Sequence, residues 1–237
     1  MNGKSMHWVT RLAALGLVTG LVAGFATPGV AQTVGGQAYA AYANTPLGSA
    51  GQTALAVLPA VSGTDGAEAD AQGDALNVVG ALSGDFLNGI TSGEIGPSEA
   101  GAQSTASAAS VNILNGLITA DEVVANVMSS AGQAGAFSNA DGSTITNLVI
   151  AGVTSLPGDQ AVAPNTNVSL PGVGYAVLNE QIPSGDGVTS SGLTVNMIHV
   201  YLQSLAPGTC VAGVCTPGTL ANTGEIIIGS ATSSVGP

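Results

Sequence analysis

Short apolar runs, each bounded by Gly, Pro, Asn or Asp, recur along the chain and constrain its fold more than any other feature. Runs of this length with these boundaries are typical of β-strands joined by turns. Only 3% of the residues are aromatic, so the core has to come from Val, Ile, Leu and Ala in many closely packed strands. The predicted strands cover residues 37–43, 54–58, 75–82, 107–114, 117–120, 144–153, 167–170, 175–181, 193–203 and 225–231.

This pattern predicts an all-β fold, an antiparallel β-sandwich of short strands with little helix outside the N-terminal segment. A β-solenoid is the alternative, and the lack of a fixed repeat of about 20 to 50 residues makes it the lesser one. Composition is nearly uniform over residues 32–237, which predicts a single domain there. Its first part, residues 32–104, is predicted to be loop-rich, with surface loops at residues 62–73 and 90–109.

Two segments carry particular weight in the strand prediction. Residues 193–203 alternate so that Leu193 and His199 would share one face, and both faces are largely apolar, which predicts a central strand. Residues 121–130 have a helical spacing of Val, but their β-branched content favours a strand. Between two predicted strands, Pro171 and Gly172 form a turn signal.

The N-terminal segment has the order of a secretory signal peptide. A basic stretch ending at Arg11 precedes an uncharged apolar run at residues 12–25, and small residues lead to a predicted cleavage between Ala31 and Gln32. The run is shorter than the roughly 20 residues that a membrane-spanning helix needs, which favours cleavage over a retained anchor. No second run of that kind follows. The sequence therefore predicts a secreted, extracellular protein, in solution or associated with the cell surface.

The charge balance excludes several classes of function. Lys4 and Arg11 are the only Lys and Arg residues, against 14 Asp and Glu. A mature chain without cations cannot neutralise phosphates, so nucleic acid is not an expected partner. It also lacks a lysine for a Schiff base and a lysine or arginine for binding phosphate groups.

Acidic side chains concentrate before residue 75 and recur at a later Asp-Gly pair. Carboxylates are among the oxygen ligands that Ca²⁺ prefers, which makes calcium the one cofactor worth considering. No EF-hand loop or repeated nonapeptide organises these acids, so solvated acidic loops are the preferred interpretation. The candidate calcium ligands are Asp65, Glu68, Asp70, Asp74 and Asp141.

Cys210 and Cys215 are the only cysteines, with four residues between them, and lie between two predicted strands. An even count in an exported chain predicts a disulfide, here one that pins a loop tip. A redox pair usually has two intervening residues and a nearby cation, and neither is present. A zinc site would need ligands that a single mature histidine does not supply.

His199 and Glu180 are the residues with the most potential for chemistry. A catalytic histidine needs a nucleophile and an orienting acid, and no G-x-S-x-G elbow is present. We therefore expect a buried histidine that is hydrogen-bonded to the backbone or to Glu180. Asn179, at the same strand end, is expected to satisfy backbone groups at a turn. No catalytic residue is assigned.

The second half of the chain resembles the choice-of-anchor P family of bacterial exported proteins, over roughly residues 105–235. The most specific stretch is Pro164-Asn165-Thr166, then 170–174 (LPGVG) and 178–181 (LNEQ). The resemblance implies an envelope or secreted domain, and it brings no catalytic residues with it. No C-terminal anchor is recognisable, which favours release or attachment through assembly. Further matching segments are 116–121, 141–143, 148–152, 193–196, 199–200 and 224–231.

Together these features predict a non-enzymatic structural or adhesive protein of the bacterial cell surface or extracellular matrix. Self-association through edge strands is one mechanism, because low charge leaves few residues to block it. A calcium- or glycan-binding secreted module is the alternative function. A secreted hydrolase around His199 and Glu180 is the least favoured hypothesis.

Overall fold

The computed structural model describes residues 32–61, 64, 66–208, 210–211, 214–215 and 217–237. The predicted signal peptide, residues 1–31, and Asp65 therefore lie outside the described residues. The first half of the described chain forms β1 (Thr33–Thr45), β2 (Gly48–Thr53), β3 (Ala56–Val57), β4 (Ala67–Val78), β5 (Leu82–Ile95), β6 (Ala100–Ile113), β7 (Ile118–Gly132) and β8 (Gly135–Asn139). The second half forms β9 (Thr144–Ile150), β10 (Thr154–Gln160), β11 (Thr166–Leu170), β12 (Gly174–Gly185), β13 (Ser191–Ala206), β14 (Cys210–Val211), β15 (Val214–Cys215) and β16 (Thr219–Gly236).

Two antiparallel sheets pack face to face, which confirms the predicted sandwich and excludes the solenoid alternative. Sheet A has the order β11-β12-β13-β16-β1-β2, with β3 also paired to β1. Sheet B has the order β10-β9-β7-β6-β5-β4, with β8 also paired to β7. The first and last long strands are neighbours, because Thr33 of β1 pairs with Gly236 of β16. Loss of residues 1–31 would therefore leave every described strand intact.

Most of the two segments predicted to be surface loops lies in strands, so that prediction is wrong for those residues. Residues 67–73 form the first half of β4, residues 90–95 the end of β5 and residues 100–109 most of β6. In β6 the buried positions alternate with partly exposed ones, but the buried residues are Ala100, Ala102, Ser104, Ala106 and Ala108. Buried and partly exposed side chains therefore alternate as expected in a strand. The buried ones are Ala and Ser, whereas the strand predictions depend on Val, Ile and Leu.

Small residues line one part of the interior because the two sheets approach closely there. Gly36 of β1 faces Thr91 and Ser104 of sheet B, and a Cβ atom added at Gly36 would lie 2.9 Å from Ser104 Oγ. Beside them, hydroxyls cross between the sheets: Ser129 Oγ lies 2.7 Å from Ser233 Oγ, and Ser138 Oγ lies 2.8 Å from Ser191 Oγ. The rest of the interior is filled by branched apolar residues, among them Ile113, Ile118, Ile145, Leu148, Ile150, Leu178, Ile198, Ile226 and Ile228.

In each sheet, neighbouring strands carry an inserted, unpaired residue at the same level. We call such a row of inserted residues the crease of the sheet. In sheet A the register continues on both sides of Asn179, Met197 and Gly229, but these three are left out of the pairing. Asn179 and Gly229 have φ values of 48° and 63°, as an inserted residue in a strand often does. Phe86 and Asn147 have the same left-handed backbone in sheet B. An extra residue reverses which side chains face inward, so the strict alternation of a strand fails at the crease.

The crease corrects the predicted faces of residues 193–203. The segment is a central strand of sheet A, as predicted. However, both Met197 and Ile198 are buried in the core, so inward positions shift from odd to even residue numbers between them. His199 consequently lies on the outer face, opposite Leu193, whereas simple alternation put the two on the same face.

Beyond the sandwich, β13 and β16 continue as a two-stranded arm that pairs Ala206 with Thr219. At its tip β14 and β15 pair Cys210 directly with Cys215. Directly opposite positions in an antiparallel pair bring Cα atoms to about 4.5–5.5 Å, which is within disulfide range. The side chains of both cysteines lie outside the described part of the chain, so the disulfide stays a prediction.

Candidate functional site

All four tyrosines of the chain lie on the outer face of sheet A. Tyr39 and Tyr42 are on β1, Tyr175 is on β12 and Tyr201 is on β13. Their neighbours along these strands, such as Ala38, Ala41, Ala176 and Val200, belong to the core, which fixes the tyrosines on the opposite side. We call this surface the tyrosine face. Its other members are Gln37, Gln52, Val177, Glu180, Ile182, Thr194, Asn196, His199, Glu225, Ile227, Ser230 and Thr232.

A hydrogen-bonded row crosses the tyrosine face from one strand to the next. The strand register places Glu180 opposite Asn196, and Ser230 between Asn196 and Tyr39. Asn196 Nδ2 donates to Glu180 Oε2 at 2.7 Å, and Ser230 Oγ donates to Asn196 Oδ1 at 2.8 Å. Tyr39 of β1 lies directly opposite Ser230 in the register. The row therefore links β12, β13 and β16 through side chains as well as through the backbone.

Glu180 is the hub of this network. Besides Asn196, its carboxylate lies 2.7 Å from His199 Nδ1 and accepts a hydrogen bond from the Tyr201 hydroxyl at 2.8 Å. Burial acts to raise the pKa of Glu180, but the hydrogen bonds from His199, Asn196 and Tyr201 prevail and lower the pKa to about 2. The side chain is only 14% exposed. Glu180 is thus held as a partly buried carboxylate by three donors.

His199 lies between two carboxylates. Its Nδ1 faces Glu180, and its Nε2 lies 3.2 Å from Oε2 of Glu225 on the neighbouring strand. Carboxylate oxygens only accept hydrogen bonds, and an imidazole ring donates from whichever of its nitrogens carries a proton. The arrangement leaves neither ring nitrogen free to take up a proton from a substrate.

Three rings stack beside this network. The Tyr201 ring lies 3.9 Å from the His199 ring and 4.7 Å from the Tyr175 ring, measured between centroids, with interplanar angles of 29° and 16°. Tyr201 is therefore enclosed between two rings. Burial raises the pKa of the Tyr201 phenol, and its hydrogen bond to the Glu180 carboxylate raises it further. Similarly, burial raises the pKa of Tyr39.

Asn179 serves the turn that precedes β11. Its Nδ2 donates to the carbonyl of Val162 at 2.7 Å, and its own carbonyl accepts from the Asn165 backbone N–H at 2.9 Å. The Asn165 side chain in turn accepts from the Gln181 N–H at 2.9 Å. These hydrogen bonds attach the segment that connects β10 of sheet B with β11 of sheet A to strand β12. Asn179 is thus a structural residue next to the network rather than a member of it.

The outer face of sheet B differs sharply in charge. The strand register and the burial pattern place six carboxylates on it, and we call this surface the acidic face. Asp85 and Glu122 are separated there only by Ala109, and Glu122 is separated from Asp159 by Thr146. The six residues are Glu68, Asp70, Asp85, Glu94, Glu122 and Asp159.

The structure spreads the calcium candidates out instead of gathering them. Glu68, Asp70 and Asp74 follow one another along β4, where six residues span roughly 20 Å. Asp141 lies in the turn after β8, in contact with Asn126 through its backbone carbonyl. Among the described residues, no group of three or more His, Cys, Asp or Glu side chains is arranged to hold a metal ion.

Comparisons of the chain with family models, curated proteins and solved structures gave no match. The resemblance to the choice-of-anchor P family therefore stays a prediction. In the part of the chain that the structure describes, no helix is long and apolar enough to cross a membrane.

Sequence reasoning singled out Glu180, His199 and Asn179 but missed the rest of the network. Tyr201 and Glu225 are on strands that were predicted, yet only the three-dimensional register brings them to His199. One signal was available: the few tyrosines all fall in predicted strands 37–43, 175–181 and 193–203. Their common face could not be read from these segments, because the crease reverses the alternation between them.

Proposed function

We propose that the chain is a non-enzymatic, exported structural or adhesive protein of the bacterial cell surface or matrix, with the tyrosine face as its contact surface. The observation that carries this proposal is the concentration of every tyrosine of an aromatic-poor chain on one outer sheet face. Tyrosine supplies a large, rigid contact area together with a hydroxyl group, which is why protein interfaces are enriched in it.

The state of His199 supports a non-enzymatic function. A general base must be able to reach a proton on a substrate, and both His199 nitrogens are engaged by Glu180 and Glu225. Glu180, with its low pKa, is also a poor proton donor near neutral pH. The closed network makes better sense as a rigid support for a binding face than as a catalytic pair.

The position of β1 supports export. The predicted cleavage between Ala31 and Gln32 falls just before β1, which begins at Thr33. A mature chain cut there would keep both sheets complete. The absence of Lys and Arg after Arg11 also leaves no trypsin-type cleavage site in the exported protein.

A cell-binding experiment with a matched pair of variants tests the proposal. Ile182 is 51% exposed on the tyrosine face and Ile90 is 37% exposed on the acidic face, so Ile182→Arg and Ile90→Arg make the same change on opposite sides. We expect the purified chain to sediment with bacterial cells or with isolated cell walls. We expect Ile182→Arg to reduce the retained fraction at least tenfold and Ile90→Arg to leave it nearly unchanged.

Two results would count against the proposal. A chain that stays in the supernatant with cells and walls alike would remove the adhesive function. Equal losses for the two variants would remove the tyrosine face as the contact surface. Unfolding midpoints in urea, measured for both variants, separate a loss of binding from a loss of folding.

A further inference from the structure

We infer that the tyrosine face docks onto the same face of a second copy of this chain, forming a symmetric dimer of sandwiches. This inference rests on the proposed function and names a second copy as the partner of its contact surface, so that in the cell-binding experiment the chain is retained by copies already present on the cell or wall. Four features of the molecule support the dimer: the charge of the two outer faces, the size of the tyrosine face, its rigidity, and the acids on the long free sheet edge.

The charge distribution leaves one face on which two copies can meet. Residues 12–237 contain no Lys or Arg, so every copy is strongly acidic. The acidic face holds six carboxylates with no cation on the face. On the tyrosine face the carboxylates are Glu180 and Glu225, and both contact His199. The tyrosine face therefore carries a third as many carboxylates as the acidic face.

The remaining repulsion between two copies is screened. Packed sheets lie roughly 10 Å apart, and the carboxylates of sheet B project away from sheet A. In a face-to-face dimer the two acidic faces are therefore the outermost surfaces. Their separation exceeds by several-fold the Debye length of about 8 Å at physiological ionic strength.

The size and composition of the tyrosine face suit a stable interface. The four central strands of sheet A, β12, β13, β16 and β1, have at least 12 residues each and cover roughly 14 Å by 40 Å, whereas the edge strands β11 and β2 have only 5 and 6 residues. The face is therefore on the order of 700 Å², close to the roughly 800 Å² per partner of a standard interface. Tyrosine is enriched and charged residues are depleted at the centres of such interfaces. Because an isologous contact uses one patch twice, the same surface serves both copies.

The network also makes the face rigid before a partner arrives. Asn196, His199 and Ser230 are each less than 10% exposed although they belong to an outer sheet face. Their side chains are held by Glu180 and by one another. A partner therefore meets side chains that are already ordered, which lowers the entropic cost of binding.

The long free sheet edge is a poorer meeting point. β4 pairs with β5 only and could in principle add a strand from another copy. It carries Glu68, Asp70 and Asp74, so pairing two copies of β4 would bring like charges together. The edge-strand mechanism predicted from the sequence does not include this repulsion, because the sequence places Glu68 and Asp70 in a loop and not on a strand edge.

Analytical ultracentrifugation of the chain tests the inference, with a reductant present so that cysteines cannot cross-link copies. Over a series of protein concentrations at 0.15 M salt, we expect the mass to rise to twice that of the monomer. We expect Ile182→Arg to weaken dimerisation at least tenfold and Ile90→Arg to leave the dissociation constant unchanged within twofold. Far-ultraviolet circular dichroism of both variants verifies that the sheets remain formed.

Other outcomes overturn the inference. A chain that stays monomeric at the highest concentration removes the second copy as the partner. A dimer that resists Ile182→Arg, or that Ile90→Arg breaks equally, places the interface elsewhere. A monomer that is retained on insoluble cellulose, with retention lost in Ile182→Arg, makes a neutral polysaccharide the occupant of the face. A monomer that still sediments with cells contradicts the dimer and leaves the adhesive function standing.

Discussion

The two outer faces of the sandwich place carboxylates in opposite circumstances. On the tyrosine face, Glu180 is 14% exposed and accepts hydrogen bonds from three side chains. On the acidic face, residues such as Asp70 and Glu122 are solvent-exposed and face no cation. A carboxylate of the first kind stabilises the fold through specific contacts, whereas one of the second kind provides charge. The acidic residues of this chain therefore have two functions: some stabilise the fold through specific contacts, and others provide surface charge. Their neighbours in the sequence do not distinguish the two.

The largest expected effect is the loss of the Glu180 charge. Glu180→Gln keeps the shape of the side chain but leaves His199 without its closest carboxylate and replaces charged hydrogen bonds by neutral ones. We expect the free energy of unfolding to fall by about 2–3 kcal/mol, in the range for hydrogen bonds to charged groups. Urea denaturation monitored by circular dichroism measures the change.

The matched substitution on the other face is Asp70→Asn. Asp70 is exposed on β4, and exposed substitutions away from specific contacts usually change stability by less than about 0.5 kcal/mol. Equal destabilisation by Glu180→Gln and Asp70→Asn would refute the contrast between the two faces.

The second prediction concerns acid pH. The pKa of Glu180 is about 2 in the folded chain, below its ordinary value of 4.5, so ionised Glu180 favours the folded state. That contribution is complete above about pH 5 and is lost as the pH falls towards 2, with an upper bound of about 3 kcal/mol. Urea midpoints measured between pH 2 and 7 should therefore fall more steeply on the acid side for the wild type than for Glu180→Gln.

Asp186 makes the comparison with a variant necessary. Hydrogen bonds from the Thr189 side chain and from the backbone of residues 188–190 lower the pKa of this exposed carboxylate as well. Its contribution is the same in the wild type and in Glu180→Gln, so the difference between the two curves isolates Glu180. Parallel curves would show that Glu180 is not preferentially ionised in the folded state.

A smaller effect is expected from Tyr201→Phe. The change removes the hydrogen bond to Glu180 Oε1 and preserves the ring between His199 and Tyr175. We expect a loss of about 1 kcal/mol. In the Glu180→Gln background the same change should cost measurably less, because both substitutions act on one network. Strict additivity of the two changes would mean that the hydroxyl and the carboxylate act independently.

Much of the fold could be predicted from the sequence, because turn residues bound nearly every strand. The strands β12, β13 and β16 were identifiable from runs of Val, Ile and Leu. The first half of β4 and most of β6 were not, since their inward-facing residues are Ala, Gly and Ser. Such side chains fill an interior only where two sheets approach closely, as they do at Gly36 and Ser104. The distance between the sheets depends on residues of both sheets, so it cannot be predicted from the sequence of either segment alone.

The candidate site was predictable only in part for a related reason. Glu180 and His199 were recognisable as unusual polar residues in apolar strands. Their companions depend on which residues share a face, and the crease at Met197 and Gly229 changes that assignment midway along two strands. Gly229 sits in the run Ile226-Ile227-Ile228-Gly229, and its positive φ marks the point where the alternation breaks. A glycine inside a strand pattern is a recognised sign of a bulge, so this signal was present.

The smallest expected effect is the relief of repulsion on the acidic face. Glu122 on β7 is separated from Asp85 on β5 by the strand β6, and from Asp159 on β10 by the strand β9. Each pair is therefore roughly 10 Å apart. In water each pair of charges repels by about 0.4 kcal/mol before screening. Glu122→Gln should therefore stabilise the chain by a few tenths of a kcal/mol at low ionic strength, opposite in sign to Glu180→Gln. Because the Debye length falls to about 3 Å in 1 M salt, the gain should vanish there, while the loss in Glu180→Gln should largely persist. Urea midpoints of both variants at low and high salt measure the two effects, and a gain for Glu122→Gln that survives 1 M salt would mean that something other than charge repulsion operates on this face.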